Sequence, residues 1–291
     1  MEEKIVFEHF LYGDGNEIHI NDMEFVIDRI LMLPKIRPHK LETAVSLCAE
    51  YCSNTDFHQK ILEKSKECPA LIYQLFKRGV FELGEVEPFL RSRDVFVLCY
   101  YFRQNINDFE SFIMKKDKPY DFDRSFFDNS QNTDLFIEYG FLPSSIEYCL
   151  KYDVIDDLIN NDNYQQKAKW SPFEWSIPPK YLDLLSFSGF FGSIKCFKHL
   201  LLKGFEINDK VLSMVVCSGC LDLFHLCQVQ QSITKENVFY ASMFCHLPLL
   251  VFLVENGADL SAKSDCVGVI HMNRLPLILL LNMVTLVFLN I

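Results

Sequence analysis

One pattern of apolar and small residues occurs three times in the last third of the chain. Gly192, Gly219 and Cys245 take equivalent places in the three copies, at spacings of 27 and 26 residues. In each copy, small or medium residues lie three and four positions after a large apolar one. A second stretch, after a turn, carries apolar residues at i, i+3 and i+6, which is helical spacing. A helix pair of about 25 residues cannot bury its apolar face alone, so such pairs stack. The period therefore predicts an all-α fold, a solenoid of stacked helix pairs.

Residues at the expected helix ends fit this pattern. Gly204 and Gly257 directly follow the apolar runs of second helices, where a residue in the left-handed conformation commonly ends a helix. Asn208 with Asp209, and Thr234, are typical N-cap residues for the first helices that follow. The helix boundaries are thus predicted independently of the apolar spacing.

Two segments also resemble a known family. GSIKCFKHLLLKGFEIN and LLVFLVENGADL are similar to the second helix and terminating turn of ankyrin repeats. More narrowly, residues 143–262 resemble a divergent ankyrin family that is expanded in parasitic protists, with repeats shorter than the usual ~33 residues. The family's Thr-Pro-Leu-His motif is absent from the three copies, and the short period leaves little room for β-hairpin fingers. The resemblance implies an ankyrin-like solenoid that binds another protein.

The pattern continues towards the N-terminus with lower fidelity. Asp153 falls at the turn of a fourth pair, whose first helix begins at a capping box of Ser144 and Glu147. Runs that end at Gly79 and Gly140 are similar to second helices; they are either degenerate repeats or ordinary helices, since glycine ends many amphipathic helices. We expect residues 1–142 to be a helical region with degenerate repeats that continues one array.

Elsewhere in that region the residue pattern predicts three helices and a loop. The helices are expected over residues 23–33, 40–51 and 94–102, and the first should stop at Pro34. Residues 115–130 are polar and contain a proline, so they are expected to be irregular.

Residues 161–180 interrupt the array with an insertion that holds both tryptophans of the chain and three prolines. Loops that depart from a repeat's period often bind partners, and tryptophan is enriched in binding hot spots. Alternatively, both rings cap a neighbouring helix pair, since tryptophan is readily buried. Under the first interpretation Trp170, Phe173 and Trp175 contact a partner.

Residues 263–291 do not continue the repeat. The apolar run at 275–289 is 15 residues long, shorter than the roughly 18 to 20 needed to span a bilayer. With suitable codons, the nucleotides for residues 274–290 read two bases later encode TPLDIAAEYGNTGIFEY, a regular ankyrin helix pair. We therefore hypothesise that the chain from about residue 265 is a frameshifted repeat, which packs on the last pair as a poorly specified apolar helix.

Charge and cysteine content limit the partners and the compartment. The formal net charge of −11 repels phosphate backbones, so nucleic acid is not expected as a partner. The 11 cysteines lie mostly in apolar periodic stretches, as expected of buried thiols in a reducing compartment. No apolar run of signal-peptide length follows the N-terminus. We expect a cytoplasmic protein, with a nuclear location as the alternative.

Several short motifs suggest chemistry but fit packing better. Cys217 and Cys220 form a C-x-x-C near His225 and Cys227, a pattern of metal or redox sites. The pair crosses the repeat's turn, and neither a second C-x-x-C nor a matching histidine pair accompanies it, which favours packing. The sequence lacks a complete dinucleotide loop and a nucleophile elbow. We expect no enzyme activity, no cofactor, no metal and no small-molecule substrate.

The expected function is therefore protein binding by a non-enzymatic scaffold. A solenoid offers a long concave face and exposed turns rather than a cavity. Contact residues are expected at the turns and first-helix ends and on the insertion: Phe190, Asp209, Lys210, Lys235, Glu236, Trp170, Phe173 and Trp175. The alternative is an adaptor anchored in a membrane by the apolar C-terminal tail, although the run is shorter than a bilayer span requires.

Overall fold

The computed structural model of the chain describes residues 23–258, except 38, 67, 94, 119–122, 128–129, 144, 162–163, 165–166, 177–181 and 245. Across these residues the regular secondary structure consists of sixteen α-helices and two short 3-10 helices, without a strand. The all-α prediction is confirmed. The tail at 263–291, with the frameshift hypothesis, lies outside the described residues.

The described residues form two compact units. The N-terminal unit comprises residues 23–143 and 171–176, and the C-terminal unit comprises residues 145–170 and 182–258. The sequence analysis expected one continuous array, with the insertion inside its second part. That single array stays a prediction, and the structure includes six residues of the insertion in the N-terminal unit.

Eight helices form the N-terminal unit in the described residues. They are α1 (Met23–Ile36), α2 (Leu41–Tyr51), α3 (Thr55–Ser65), α4 (Pro69–Lys77), α5 (Leu83–Leu90), α6 (Phe96–Tyr101), α7 (Phe109–Ile113) and α8 (Ser130–Tyr139). Helix α1 packs on α2 and α3, α2 packs on α4, and α4 packs on α6. Gly79 and Gly140 follow α4 and α8 in the left-handed region, with φ of 71° and 82°.

Helix α1 corrects one predicted boundary. Pro34 does not stop the helix, which continues to Ile36, and Arg37 still donates its backbone N–H to the Leu33 carbonyl at 2.9 Å. A proline inside a helix removes one backbone hydrogen bond. Leu33 and Ile36 are both buried, and their packing offsets this loss.

The C-terminal unit contains eight helices in four successive pairs. They are α9 (Ile146–Tyr152) and α10 (Ile155–Ile159), α11 (Leu184–Phe191) and α12 (Ile194–Leu202), α13 (Asp209–Ser218) and α14 (Leu221–Gln228), α15 (Lys235–Met243) and α16 (Leu247–Glu255). Each second helix packs on its own first helix, and the first helices pack on one another in chain order, α9 on α11, α11 on α13 and α13 on α15.

The turn between the helices of a pair has the same backbone conformation in three pairs. Gly192 and Gly219 end α11 and α13 in the left-handed conformation, with φ of 71° and 69°. Asp153 ends α9 in the same way, with φ of 55°, as its predicted place at a turn requires. Left-handed backbone also follows the second helices at the predicted positions Gly204 and Gly257.

Capping side chains begin the first helices. Asn208 Oδ1 accepts a hydrogen bond from the Val211 backbone N–H at 3.1 Å, and Thr234 forms a capping box with Asn237. Helix α9 begins one residue later than predicted, because Ser145 is the N-cap and its Oγ accepts from the Tyr148 N–H at 3.2 Å. The predicted cap at position 144 lies outside the described residues.

Neighbouring pairs are joined at their turns by hydrogen bonds. The Asp153 carboxylate accepts from the backbone N–H groups of Lys195 and Cys196, at 3.2 and 2.9 Å. A turn residue of one pair therefore caps the second helix of the next pair. At a later turn, His246 Nε2 lies 2.7 Å from the carbonyl oxygen of Cys217 in the preceding pair.

Small residues permit close packing of the first helices, as their spacing predicts. A Cβ atom placed on Gly189 of α11 would lie 2.9 Å from Cγ2 of Val215 in α13. A side chain there would require Val215 or its helix to shift, since real Cβ atoms rarely come so close to another atom.

Candidate functional site

Four of the predicted contact residues lie together at the starts of two first helices. Asp209 and Lys210 are the first residues of α13, and Lys235 and Glu236 are the first residues of α15; all four are exposed. A two-residue turn makes the two helices of a pair antiparallel, so the start of a first helix lies at the same end of the pair as the end of its second helix. We name this end of the stack the loop-end surface.

Two large apolar side chains extend the loop-end surface. Leu202 is 87% exposed at the end of α12, and Val229 is 84% exposed directly after α14. They occupy equivalent positions in successive pairs, 27 residues apart. They were not among the contact residues predicted from the sequence. The sequence could have indicated their exposure, because both are apolar residues outside the i, i+3, i+6 positions of the second helices.

The loops at this end are held by a side-chain hydrogen bond between pairs. Gln231 Nε2 donates to the backbone carbonyl of Ile207 at 2.9 Å, which links the loop after α14 to the loop after α12. The backbone that carries the exposed residues is therefore tied from one pair to the next. A rigidly held surface loses little conformational entropy when it binds.

Charges on the loop-end surface alternate in sign between pairs. Asp209 and Lys235 occupy equivalent positions and have opposite charges, and so do Lys210 and Glu236. The formal charges of these four residues sum to zero. A partner would meet both signs here, in a pattern fixed by the repeat.

Trp170, in the insertion, packs on a first helix of the C-terminal unit. Its ring stacks on Phe191 with centroids 5.9 Å apart and an interplanar angle of 12°, and it contacts Phe187 edge-on at 5.4 Å. The side chain is only partly exposed. Its contacts match the alternative in which the ring caps a helix pair.

Two predicted contact residues belong to the interior instead. Phe173 and Phe190 are each 1% exposed, so neither ring has surface to offer a partner in this conformation. Phe190 is buried because every residue of α11 is buried between the adjacent first helices and the ring of Trp170. Phe173 is enclosed by aromatic side chains of the N-terminal unit. We therefore remove both from the set of contact residues.

Trp175 keeps partial exposure. It belongs to the N-terminal unit with the rest of residues 171–176, and so it is not placed with the loop-end surface. Its assignment as a contact residue stays a prediction.

The nine cysteines in the described part of the chain are free thiols, and seven of them are buried. Burial raises the pKa of the Cys217 thiol well above its usual range and raises that of Cys227 to about 12. The thiolate is the form that binds metals and attacks electrophiles. Cys217 is thus a packed thiol, whereas Cys220 is partly exposed.

Metal-binding clusters and membrane-spanning helices would both be alternatives for the described residues, and neither is present among them. No group of three or more His, Cys, Asp or Glu side chains is arranged there to hold a metal ion. Within the same residues, none of the helices combines the length and apolar character required to cross a bilayer.

Comparisons of the chain with models of protein families, with curated proteins and with solved structures gave no match in any of the three. Function is therefore inferred from the geometry of this chain alone.

Proposed function

We propose that the C-terminal unit is a divergent ankyrin-like solenoid and that it binds another protein through its loop-end surface. The observation that carries the proposal is the packing order of the first helices, α9 on α11 on α13 on α15, with each second helix on its own partner. Stacked helix pairs of this kind present a continuous surface of successive loops and helix ends. Such a surface suits recognition of a macromolecule rather than enclosure of a small substrate.

The composition of the loop-end surface supports a protein partner. It combines two almost fully exposed aliphatic side chains with two acidic and two basic ones. Burial of exposed aliphatic groups by a partner stabilises the complex by roughly 25 cal/mol per Å² of apolar surface removed from water. Charges of both signs select the partner that has complementary charges. A nucleic acid would meet no excess of positive charge here.

The thiol state supports an intracellular role for this scaffold. Free, largely buried cysteines are typical of proteins that stay in a reducing compartment. We propose a cytoplasmic or nuclear binding protein without catalytic activity.

Charge reversal on the loop-end surface tests the proposal. The full chain and its Asp209→Lys/Lys235→Glu variant serve as baits in cells, and captured proteins are quantified by mass spectrometry. Reversal of two interface charges costs about 1.4 kcal/mol or more, which is a tenfold loss of capture. The formal net charge is unchanged by this double variant.

A matched control reverses two exposed charges on the second helices, as Lys198→Glu/Asp222→Lys. It should retain every partner that the wild-type chain captures. If the loop-end variant also retains every partner, or if both variants lose the same partners, the assignment of binding to the loop-end surface is wrong.

A further inference from the structure

Residues 171–176 form an irregular segment that packs in the N-terminal unit, although the residues on both sides of it in the chain belong to the C-terminal unit. The segment lies at least 28 positions after the last other residue of that unit. It forms no helix and contributes no strand. It therefore contacts the N-terminal unit as a short added peptide would.

One aromatic side chain anchors the segment. The Phe173 ring stacks on Phe136 of α8 at 5.9 Å with an angle of 14°, and it packs on Tyr101 of α6 at 5.6 Å and on Phe127 at 5.4 Å. With 1% of its surface exposed, the ring fills a slot between these side chains. Aromatic anchors in closed pockets carry most of the free energy in many peptide interfaces.

A main-chain hydrogen bond fixes the anchor's position. The Tyr101 hydroxyl donates to the backbone carbonyl of Phe173 at 3.2 Å. Burial, with smaller contributions from neighbours that include Glu174, raises the pKa of Tyr101 well above its ordinary value. The hydroxyl therefore stays protonated and remains a donor across the physiological range.

The segment also holds its own shape. Glu174 donates its backbone N–H to the Ser171 carbonyl at 3.0 Å, and Pro172 restricts φ within this turn. The Glu174 carboxylate, 8% exposed, accepts from the backbone N–H and the hydroxyl of Ser176 at 3.2 and 2.7 Å. A preformed turn reduces the entropy lost when such a peptide binds.

We propose that the N-terminal unit contains a peptide-binding site, that residues 171–176 are its ligand within the chain, and that the site accepts from a partner an irregular peptide with a turn and a Phe-Glu pair. The aromatic slot selects the Phe, and the Tyr101 hydroxyl selects the carbonyl behind it. The site is distinct from the loop-end surface and goes beyond the function proposed for the C-terminal unit.

The test replaces the internal ligand in the full chain. A Phe173→Ala variant opens the slot, and a fluorescent synthetic peptide with the sequence of residues 171–176 is titrated against it by anisotropy. The tethered segment competes in the wild-type chain at an effective concentration of about 1 mM. For a peptide with a dissociation constant near 0.1 mM, the wild-type chain should therefore bind about tenfold more weakly than the variant.

Three controls make the outcome specific. A peptide with Phe replaced by Ala should not bind, and a Phe173→Leu chain should bind with intermediate affinity. A Phe190→Ala chain, which loses an equally buried ring in the other unit, should bind as weakly as the wild-type chain. If Phe173→Ala unfolds, the peptide should restore its helical circular dichroism and raise its Tm, because a ligand that binds only the folded state stabilises it.

Absence of both saturable binding and a Tm increase at about 1 mM peptide in the Phe173→Ala and Phe173→Leu chains would overturn the proposal. Equal binding to wild-type chain, or equal binding of the Phe-to-Ala peptide, would overturn it as well. Loss of partner capture by the loop-end variant has no bearing on this titration, so the two proposals fail independently.

Discussion

A single added methyl group tests how closely the first helices pack. Gly189 lies inside α11 with ordinary helical backbone, where Ala normally stabilises a helix over Gly by about 0.5–1 kcal/mol. The new Cβ would lie 2.9 Å from Cγ2 of Val215 and 3.5 Å from both the Val215 backbone nitrogen and Cε2 of Phe197. Valine in a helix has essentially one χ1 rotamer, so Cγ2 cannot rotate away at low cost.

The expected magnitude follows from these two opposing effects. Overpacking of a well-packed core costs about 1–3 kcal/mol. After the gain in helix propensity, Gly189→Ala should lower the free energy of unfolding of the C-terminal unit by up to about 2.5 kcal/mol. Val215→Ala removes the obstructing methyl groups, and it should therefore cost less in the Gly189→Ala background than in the wild type. The coupling between the two changes should be about 1–3 kcal/mol.

Denaturant unfolding of the four chains of this double-mutant cycle measures the coupling. A Trp175→Phe background leaves Trp170, which stacks on α11, as the fluorescent reporter of the C-terminal unit. Gly84→Ala in α5, where no atom lies within 4 Å of the new Cβ, is the control and should be neutral or stabilising, read from Trp175 in a Trp170→Phe chain. Additive costs for Gly189→Ala and Val215→Ala, within about 0.5 kcal/mol, would refute the close contact.

Three further outcomes follow from the same structure. Asp153→Ala should lower the free energy of unfolding by about 1–3 kcal/mol, since it removes a cap and leaves an alanine in left-handed backbone. Asp153→Asn should cost less, and equal costs of the two variants in thermal unfolding would contradict this. Gly219→Ala should be more destabilising than Gly204→Ala. Both positions have φ near 70–90°, but only at Gly219 would the new Cβ overlap a neighbour, the His246 ring at 2.0 Å. The opposite order of stabilities in chemical denaturation would refute this prediction. Burial raises the pKa of Cys52 to about 11, so the alkylation rate of this thiol should still rise about tenfold per pH unit from pH 8 to 10. Site-resolved mass spectrometry measures that rate, and a plateau near pH 9 would show an unperturbed thiol.

The repeat period and the caps could be predicted because they depend on local chemistry. Asn208 and Thr234 cap first helices through their own side chains, and Gly204 and Gly257 adopt backbone that other residues resist. The place of Asp153 at a turn followed from alignment alone. Such features need no knowledge of the rest of the chain.

Burial of the predicted contact residues was only partly predictable. The α11 sequence LLSFSGFF is apolar on every side, and a helix of that kind is normally enclosed; this signal identifies Phe190 as a core residue. Phe173 offers no such signal, since its slot is formed by aromatic residues that are 37 to 73 positions away in the chain. Contacts between distant segments leave no periodicity in the sequence.

Helix α3 shows a second kind of omission. Its apolar residues are sparse, yet Asn54 caps it by accepting from the Asp56 and Phe57 N–H groups at 2.9 and 3.1 Å. An N-cap signal was therefore present together with a short apolar face of Phe57, Ile61 and Leu62. Helix α7, with five residues, has an N-cap at Asp108 that is left-handed and makes no side-chain cap bond, and this geometry is not predictable from the residue type alone.

The Asp153 carboxylate that caps the neighbouring pair has a consequence for synthesis on the ribosome. Its acceptor bonds reach residues 42 and 43 positions later, which at about 5–20 residues per second emerge roughly 2–9 s after it. Until then, the nascent pair of α9 and α10 holds a charged group and a left-handed aspartate whose stabilising contacts do not yet exist. The pair of α9 and α10 is thus completed only after the start of α12 has been made, and a stalled or truncated product would expose an unfinished turn to the cell's quality-control machinery.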